Sequence, residues 1–379
     1  MKKLTVILLS AALCVFCISL SSCLFSKETY EIALITGTSG VTNRSSAQGA
    51  HTGIDEYCRE NNIAYNYFVP DEDNTEAYLR QVEKAVSSGA ELIVFAGYYL
   101  QDAAKTAAEL YDDVNFLLVD CYADIDDTRV HSITFREEQA GFLAGFAAVT
   151  EGYTELGFIT GDDNEISQKY GSGFIQGAEY AAVSKGIPKI YIKYWCAESL
   201  KASDELKQVA IGWYGNDTEI IMVCGEGIQS SVTSAANNMK GKVIGFDMDQ
   251  AGYSERYVTS AIKSIDTAVY STLEAYYKNS GWDNNRAGKS VSYGIETDNI
   301  GLPTNFGSFR FSSWTVDDYE TLYAKIKSGK ISVLSPPATQ ETTACEVIYF
   351  ESGLPETNDT SDISDISDIS DLSDISDNS

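Results

Sequence analysis

Leu92-Ile93-Val94-Phe95 and Phe116-Leu117-Leu118-Val119 are two short apolar runs, and a helical pattern over residues 101–111 lies between them. Each run is bounded by turn residues and contains no polar side chain, which is typical of a strand that is covered on both faces. A strand, a helix and a second strand form the repeating unit of a parallel sheet. This stretch therefore predicts an α/β fold with parallel strands.

The same alternation continues on both sides of this stretch. Six further apolar runs are predicted as strands, over residues 32–35, 65–69, 156–159, 190–192, 220–223 and 243–246, and helical patterns cover residues 48–60 and 75–87. A helix over residues 141–149 separates the first series of strands from the second. We therefore expect two doubly wound parallel-sheet lobes that are joined by a hinge.

Small and polar residues follow the predicted strands, and this is where a ligand site is expected. In open α/β sheets, ligands bind beyond the carboxyl ends of the strands, because small residues allow close approach and polar residues orient the ligand. The strand ends of this chain read Thr36-Gly37, Ala96-Gly97, Asp120, Thr160-Gly161, Cys224-Gly225 and Asp247-Met248-Asp249. Two lobes that face each other with these edges form a cleft, which closes by hinging.

The beginning of the chain has the layout of an export signal. Two lysines precede a long apolar run, and Leu20-Ser21-Ser22-Cys23 resembles a bacterial lipoprotein cleavage site. We expect residues 1–22 to be a signal peptide, Cys23 to carry the lipid anchor with its palmitate, and residues 23–30 to be a lipidated linker on the extracytoplasmic face of the cell membrane. The alternative is an uncleaved anchor helix.

The charge of the chain limits its partners. The formal net charge of -28 argues against nucleic acid and anionic lipid surfaces. Part of this charge lies in residues 355–379, where a Ser-Asp-Ile triplet repeats. One isolated apolar residue per triplet cannot form a buried face, and the aspartates repel one another, so this tail is predicted to be disordered. It is interpreted as a solvated spacer, with weak calcium binding or a cell-wall contact as the alternative.

The residue patterns of catalytic and metal sites are missing. The two histidines, His51 and His131, lie far apart, and the motifs of metalloproteases, serine hydrolases and phosphate-binding loops are absent. The acidic run Asp71-Glu72-Asp73-Asn74 lacks the glycine and the glutamate of a calcium loop and is expected to be a solvated loop. We therefore expect a binding protein without metal or cofactor rather than an enzyme.

The cysteines beyond Cys23 are odd in number and widely spaced, which argues against a disulfide framework or a zinc site. They are Cys58, Cys121, Cys196, Cys224 and Cys345. Because Cys121 and Cys224 end apolar runs, we expect them to be buried like small hydrophobic residues. One surface disulfide remains possible.

Four blocks of sequence, in the correct order, carry a resemblance to a known family. The longest covers residues 133–148, ITFREEQAGFLAGFAA, and the others cover residues 243–250, 259–266 and 301–303. Over residues 32–306 the chain resembles the basic membrane protein family, lipoproteins that serve as substrate-binding receptors for ABC transporters, many of them specific for purine nucleosides. The resemblance implies a type I periplasmic-binding-protein fold. The first lobe is then expected to contain residues 31–148 and about 265–305, and the second lobe residues 149–264 and about 306–350.

The resemblance also implies roles for several site residues. Tyr170 matches the position whose ring stacks on the base, although packing on a helix face is the alternative. Asp247 matches the ribose-binding aspartate, while Asp249 could cap the next segment. Lys263 matches a pocket lysine that donates to a ligand oxygen and pairs with Asp247; otherwise it is a surface lysine. The remaining expected ligand contacts are Gly225 and Gly227, where the backbone approaches the ligand, and Asp120 at its strand end.

The first ligand block departs from the family pattern. Gly37 stands at the acidic position, Ser46 at the position of a stacking Phe, and Ala47 at the position of a base-reading Asn. Losing these groups relaxes or redirects the discrimination between ligands. Tyr98 and Tyr99 follow the third strand and could supply a replacement ring or pack in the core, and His51 could supply a polar contact.

These observations predict an extracytoplasmic, lipid-anchored substrate-binding protein of an ABC importer. Its partners are expected to be a nucleoside or similar small polar ligand, an ABC permease and an ATPase, and the membrane through Cys23, with no nucleic acid. The alternative is a non-transport surface lipoprotein, a sensor or adhesin that keeps the fold with an altered ligand site. An enzyme has the least support, because a fold alone does not imply a function.

Overall fold

The computed structural model describes residues 29–42, 45–121, 125–225, 227–337 and 341–351. The predicted signal peptide, the lipid site at Cys23 and the acidic tail over residues 355–379 lie outside the described residues.

The described chain alternates between strands and helices, as the sequence predicts. Its strands are β1 (Ile32–Ile35), β2 (Tyr65–Phe68), β3 (Leu92–Ala96), β4 (Asn115–Val119), β5 (Val130–Phe135), β6 (Glu155–Thr160), β7 (Ile190–Cys196), β8 (Ile220–Cys224), β9 (Lys242–Asp247), β10 (Tyr257–Lys263), β11 (Lys289–Tyr293), β12 (Ile300–Gly301) and β13 (Cys345–Phe350). Its α-helices are α1 (Ser46–Asn61), α2 (Thr75–Ser87), α3 (Gln101–Leu110), α4 (Glu137–Glu151), α5 (Glu165–Lys185), α6 (Asp204–Gly215), α7 (Gln229–Met239), α8 (Ile265–Asn279) and α9 (Val316–Lys327).

The strands form two sheets. The first sheet has the order β11-β5-β4-β3-β1-β2, and all of its neighbouring strands are parallel. The second has the order β12-β10-β9-β8-β6-β7-β13, in which only the short β12 runs antiparallel to its neighbour. Strands β1, β3 and β8 are buried along their whole length, as expected for sheets that are covered by helices on both faces. The predicted α/β fold with two parallel-sheet lobes is confirmed.

Within the described residues the chain passes between the two sheets three times: through α4 after β5, after β10, and between β11 and β12. Within residues 265–305, which the sequence analysis assigned to the first lobe, α8 packs on α1 and β11 joins the first sheet. In the same range, however, β12 pairs with β10 of the second sheet. Helix α4, also assigned to the first lobe, packs mainly on α5 and β10 of the second.

Helices α4 and α5 cross with their backbones in contact. A Cβ atom on Gly145 of α4 would lie 2.0 Å from the carbonyl oxygen of Phe174, and one on Gly177 of α5 would lie 2.0 Å from the carbonyl oxygen of Phe142. Gly141 and Gly173 make equivalent approaches one turn earlier. Because side chains at i and i+4 share a helix face, these two pairs of glycines form a flat contact surface on each helix.

The cysteines fit the sequence prediction in part. Cys121 and Cys224 are buried, as expected for the ends of apolar strands. All five cysteines of the described residues are free thiols, so the surface disulfide that the sequence left open is not formed.

Candidate functional site

A cleft of about 900 Å³ lies where the carboxyl ends of the two sets of strands meet. Gly37, Gly97 and Asp120 line it from the first sheet, and Gly225 and Asp247 line it from the second. Five of the six strand ends that the sequence analysis selected thus contribute to the lining. The sixth, Thr160-Gly161, does not, although the next residue, Asp162, does. The topology brings the strand ends together because each parallel sheet has its strand ends at one edge, and these two edges face each other.

A buried cluster of charges lies at the base of the cleft, where Asp120 and Asp247 line the cleft and Lys263 and Glu137 lie behind them. The Nζ atom of Lys263 lies 2.7 Å from Oδ2 of Asp120, 3.0 Å from Oδ1 of Asp247 and 3.5 Å from Oε1 of Glu137. All four side chains are almost completely buried. Lys263 is therefore not a surface lysine, and it pairs with Asp247 as expected. It is not among the described residues that line the cleft, so its position does not meet the expectation that it donates to a ligand oxygen. Lys263 instead joins a carboxylate of the first sheet to a carboxylate of the second.

Burial and mutual attraction act in opposite directions on this cluster. Burial raises the pKa of Asp247, and Lys263 opposes that rise. For Lys263, burial lowers the pKa, but Asp120, Asp247 and Glu137 outweigh it and hold the pKa well above its ordinary value. Lys263 therefore carries a positive charge between carboxylates that have little contact with water.

Asp120 and Asp247 both adopt a left-handed backbone conformation. Their φ angles are 56° and 61°, a region that costs energy for most residues and is visited more often by Asp and Asn. In this conformation the chain turns sharply at the end of β4 and of β9, and both carboxylates face the cleft.

One oxygen of Asp120 accepts no hydrogen bond. Oδ2 of Asp120 binds Lys263 and accepts a hydrogen bond from Oγ of Ser46, whereas Oδ1 has no partner among the described residues although Asp120 is only 1% exposed. Ser46 also lies with its Oγ 3.4 Å from Oδ2 of Asp247 and so contacts carboxylates of both sheets. A buried carboxylate oxygen in a cleft wall is an acceptor for a donor group of a ligand.

Tyr170 lies beneath the floor of the cleft rather than in its wall. It is fully buried, its hydroxyl group donates to Oδ1 of Asp247 at 3.0 Å, and its ring packs edge-on against Phe246. The expectation that this ring stacks on a ligand is not met by its position, because the close crossing of α4 and α5 draws this turn of α5 into the interior. Phe246 lines the cleft in its place, and sequence reasoning missed it.

Tyr98 and Tyr99 both line the cleft, and they fill space that the altered first block leaves. A Cβ atom on Gly37 would lie 2.9 Å from the hydroxyl oxygen of Tyr99 and 3.2 Å from Oδ1 of Asp73. The Tyr98 hydroxyl group donates a short hydrogen bond to Asp162, which follows β6 of the second sheet. Tyr98 thus connects the two sides of the cleft. Tyr99 occupies the space that an acidic side chain at position 37 would fill.

The acidic run over residues 71–74 is exposed, but it is also part of the cleft lining, which the sequence analysis missed. Asp73 accepts hydrogen bonds from the backbone N–H of Thr38 at 2.9 Å and from its hydroxyl group at 2.6 Å. The run follows the carboxyl end of β2. The run could have been assigned to the cleft from this position in the sequence, whereas its composition gave no such indication.

Gly225 and Gly227 line the cleft from the second sheet with φ angles of 153° and 90°. A Cβ atom on Gly227 would lie 2.4 Å from the carbonyl oxygen of Leu200, so a larger residue does not fit there. Leu200 and Lys201 also line the cleft, and no motif indicated them.

His51 and Ala47 do not contribute to the lining among the described residues. The Nδ1 atom of His51 lies 2.9 Å from the hydroxyl oxygen of Tyr65, and its ring packs on Tyr65 and Tyr67, so the suggested ligand contact is wrong. Its position on α1 turns it away from the cleft edge. Asp249 accepts a hydrogen bond from the N–H of Ala251 at 3.0 Å and so caps a turn.

Within the described ranges, no three His, Cys, Asp or Glu side chains are placed to hold a metal ion. Nor does this part of the chain contain a helix with the length and apolar character needed to cross a membrane.

Comparison with known families identifies the chain. The family model of the PnrA-like ABC transporter substrate-binding proteins matches residues 32–340. The chain belongs to this family. The resemblance to basic membrane proteins that the sequence blocks indicated is thereby confirmed.

Relatives of this chain carry names that agree with the family. It is 30% identical to the ABC transporter nucleoside-binding protein BmpA of Lactococcus lactis over 261 residues, which cover 65% of this chain and 72% of the relative. It is 27% identical to basic membrane protein A of Borreliella burgdorferi, with 92% of this chain and 99% of the relative covered.

Solved structures of other proteins have the same fold as this chain. A solute-binding protein of an ABC transporter system from Aeropyrum pernix superposes with a TM-score of 0.67 at 18% identity, and the match covers 81% of this chain and 94% of that one. At this identity the likeness concerns the fold alone. It agrees with the two-lobed periplasmic-binding-protein architecture.

Proposed function

We propose that this protein is an extracytoplasmic, lipid-anchored receptor that binds a nucleoside or a similar hydroxyl-rich ligand in its cleft and delivers it to an ABC permease and ATPase. Membership of a substrate-binding family and the name of the lactococcal relative support this proposal. The lipoprotein-like Leu20-Ser21-Ser22-Cys23 supports the anchor and the extracytoplasmic location.

The observation that carries the ligand class is the unpaired Oδ1 atom of Asp120 beside Asp247. A buried carboxylate oxygen without a donor is costly, and a ligand hydroxyl group that donates to it recovers a strong, charge-assisted hydrogen bond. The vicinal hydroxyl groups of a ribose offer two donors on adjacent atoms. Asp120 and Asp247 face the cleft from opposite sheets and are both linked to Lys263, so they can each accept one.

The aromatic rings of the cleft lining support a ligand that contains a nucleobase. Tyr78, Tyr98, Tyr99 and Phe246 all line the cleft, and the rings of Tyr98 and Tyr99 pack edge to face with centroids 5.6 Å apart. Aromatic faces pack favourably on the flat faces of a purine or pyrimidine. These rings stand in for the stacking Phe that Ser46 replaces.

The charge of the lining favours a nucleoside over a nucleotide. Six of the lining residues are acidic, namely Asp71, Glu72, Asp73, Asp120, Asp162 and Asp247. Among the described residues that line the cleft, Lys201 is the only cation. A phosphate group would meet like charges here, which costs binding energy.

A thermal-shift panel tests the proposal. Purified mature protein is heated with each nucleoside, the free bases, ribose and the matching 5′-monophosphates. At a hundredfold excess over Kd, a bound nucleoside should add about 2.7 kcal/mol of stability, and the monophosphates should add much less. Asp120→Asn serves as the matched control, because it keeps the shape and removes the charged acceptor. If every nucleoside leaves the melting temperature unchanged at millimolar concentration, the ligand class is wrong.

The altered first block favours one second candidate, a surface lipoprotein that senses or adheres without transport. Tyr99 and Asp73 occupy the space beside Gly37 that an acidic side chain would need. Uptake of a labelled nucleoside by cells with and without this chain separates the two functions. Loss of uptake in the deletion strain supports the importer, and unchanged uptake despite binding in vitro supports the second candidate.

A further inference from the structure

Glu137 is a buried acid that the proposed ligand contacts do not use. It is the first residue of α4, directly after the chain leaves the first sheet, and its side chain is fully buried. Its Oε1 atom lies 3.5 Å from Nζ of Lys263, and its Oε2 atom lies 3.8 Å from Nζ of Lys169. It therefore sits behind the two carboxylates that face the cleft.

We propose that Glu137 is a positioning residue that takes up a proton when a ligand fills the cleft, so that ligand affinity falls as the pH rises. This inference rests on the proposed function, because it concerns the same cleft and the same nucleoside ligand. It adds a property that neither the family nor the cleft lining assigns.

The balance of charges leads to this inference. The cluster holds three carboxylates, from Asp120, Asp247 and Glu137, against the ammonium groups of Lys263 and Lys169. Lys169 is also shared with Glu165 at 3.1 Å, whose side chain is more than half exposed. With every acid ionised, the buried cluster therefore carries an excess of negative charge. A ligand that displaces water from the cleft makes this excess more costly.

Of the three acids in the cluster, Glu137 can be protonated without the loss of a hydrogen-bond acceptor for the ligand. Asp120 and Asp247 need their charge to accept strong hydrogen bonds from ligand hydroxyl groups. Glu137 is not among the described residues that line the cleft, so its proton would not compete with the ligand. When Glu137 is protonated, Lys263 keeps its ion pairs with Asp120 and Asp247, the two carboxylates that face the cleft.

The electrostatic surroundings of Glu137 agree with this assignment. Burial raises its pKa to about 8, Lys263 and Lys169 oppose the rise, and Asp120 adds to it. Tyr170 on α5 and Cys224 on β8 also face the cluster, and burial raises the pKa of both well above their ordinary values, so both stay neutral. The neighbours Arg136 and Glu138 pair with each other at 3.1 Å.

The direction of the pH effect follows from the raised pKa. In the arrangement described here the two lobes are in contact through Lys263 and Asp120, and burial raises the pKa of Glu137 to about 8. Separation of the lobes would admit water to the cluster and move Asp120 away, so that the pKa of Glu137 falls from this value toward the ordinary carboxyl range. A ligand that holds the lobes together keeps the pKa raised. Binding therefore takes up a proton at any pH between these two values. Affinity is greatest at the acidic end of this window and declines until the pH exceeds about 8.

Calorimetry with adenosine tests the inference, because adenosine does not titrate between pH 6 and pH 9. For the wild type, Kd should rise about tenfold from pH 6 to pH 9, which corresponds to a pKa change of about one unit. Titrations at pH 7 in two buffers of different ionisation enthalpy should show proton uptake. This second measurement needs no variant, and uptake close to zero would overturn the inference.

Glu137→Gln should bind adenosine about as tightly as the wild type at pH 6 and keep that affinity at pH 9. A residue with a merely structural role would weaken binding equally at every pH. Glu138→Gln is the matched control, since it alters the adjacent buried acid outside the cluster and should retain the wild-type slope. The same slope in Glu137→Gln would overturn the inference while the nucleoside assignment stands. If the wild type binds adenosine at no pH, the purine-nucleoside assignment fails, and this inference falls with it.

Discussion

Lys263 and Asp120 form a buried ion pair, with Nζ and Oδ2 2.7 Å apart, that joins the two lobes at the floor of the cleft. Lys263 ends β10 of the second sheet, and Asp120 follows β4 of the first. The pair therefore exists only when the two lobes are close together. Because Asp247 shares the same ammonium group, the contact between the lobes and the arrangement of the proposed ligand acceptors depend on one lysine.

Lys263→Met should abolish nucleoside binding. The substitution keeps much of the side-chain volume but leaves three buried carboxylates without their shared cation, and removing one partner of a buried pair costs about 3–5 kcal/mol. The free energy of unfolding, from urea titration, should fall by a similar amount, and adenosine affinity by more than about a hundredfold. Lys193→Met, on β7 away from the cleft, is the control. Wild-type affinity in Lys263→Met would show that the ligand binds elsewhere.

Asp247→Asn should weaken binding while the fold is kept. Asparagine has the same shape, but its amide is a weaker acceptor for ligand hydroxyl groups and for the hydroxyl group of Tyr170. A hydrogen bond to a charged group contributes about 1.5–3 kcal/mol, so Kd should rise by about 10- to 100-fold. Titration calorimetry measures the change, and circular dichroism checks the fold. An unchanged Kd would remove Asp247 from the site.

Tyr98→Phe should loosen the closed cleft without destabilising the fold. The substitution removes the hydroxyl group that donates to Asp162 of the opposite lobe. A single hydrogen bond contributes about 0.5–1.5 kcal/mol, so adenosine affinity should fall by about 3- to 10-fold, mainly through faster dissociation in stopped-flow measurements. Tyr67→Phe, an exposed ring on β2 that contacts His51, is the matched control. Equal dissociation rates for the two variants would mean that the contact with Asp162 does not hold the cleft.

Gly177→Ala should destabilise the protein although alanine normally favours a helix. The added Cβ atom would lie 2.0 Å from the carbonyl oxygen of Phe142 on α4, so the two helices must move apart. Overpacking of this kind costs about 1–3 kcal/mol, and urea unfolding measures it. In Gly215→Ala on α6, the nearest atom to the new Cβ is 3.8 Å away, so that variant should be neutral or more stable. Equal stability of the two variants would contradict the backbone contact.

Glu179→Gln should weaken the attachment of β13, and the loss should depend on pH. The carboxylate of Glu179 accepts hydrogen bonds from Thr343, Ala344 and Cys345. Burial raises the pKa of Glu179, but these hydrogen bonds outweigh it and lower the pKa. A lowered pKa stabilises the fold above the ordinary glutamate value of about 4.3, and this gain disappears as the pH falls through the folded-state value.

Urea unfolding of the wild type and Glu179→Gln tests this dependence. At pH 7 the variant should lose about 1–3 kcal/mol, and the two proteins should converge as the pH falls below about 4. A constant difference across this range would assign the loss to packing rather than to the charge. Glu138→Gln, a buried acid that pairs with Arg136 instead, serves as the comparison.

Eight of the thirteen described strands could be predicted from the sequence, because their apolar runs are typical of a parallel sheet that is covered on both faces. Strands β5 and β10 are also buried but were missed, because polar residues such as His131 and Thr259 interrupt their apolar pattern. Leu92–Ala96 is such a strand, and its boundaries follow directly from its composition. Strand β13 could not be predicted in this way, because it lies at a sheet edge with Glu346, Ile348 and Tyr349 exposed. Its pairing with β7 also joins parts of the chain that are distant in sequence.

The sequence identified the cleft residues that lie at strand ends, but it did not indicate how deeply a side chain on a helix is buried. The sequence blocks placed Asp247 and Lys263 in one pocket, and the structure brings them within 3.0 Å. Tyr170 was expected in the cleft wall, but a motif gives the helix face of a residue and not how closely that helix packs. The glycines that decide the depth of α5 lie one to two turns further along the same helix.

The backbone contact between α4 and α5 has a consequence for how a ligand is captured. Glu137, Tyr170 and Asp247 belong to elements that pack tightly together, so they form one packed unit, which also contains Lys263. Asp120 belongs to the first sheet, on the opposite side of the cleft. If the cleft binds a nucleoside as proposed, a ligand that first contacts this unit meets a half-site that is already assembled, and closure of the lobes adds Asp120. Under this proposal, recognition has two stages: the ligand first binds to the assembled half-site, and closure of the lobes then completes the site.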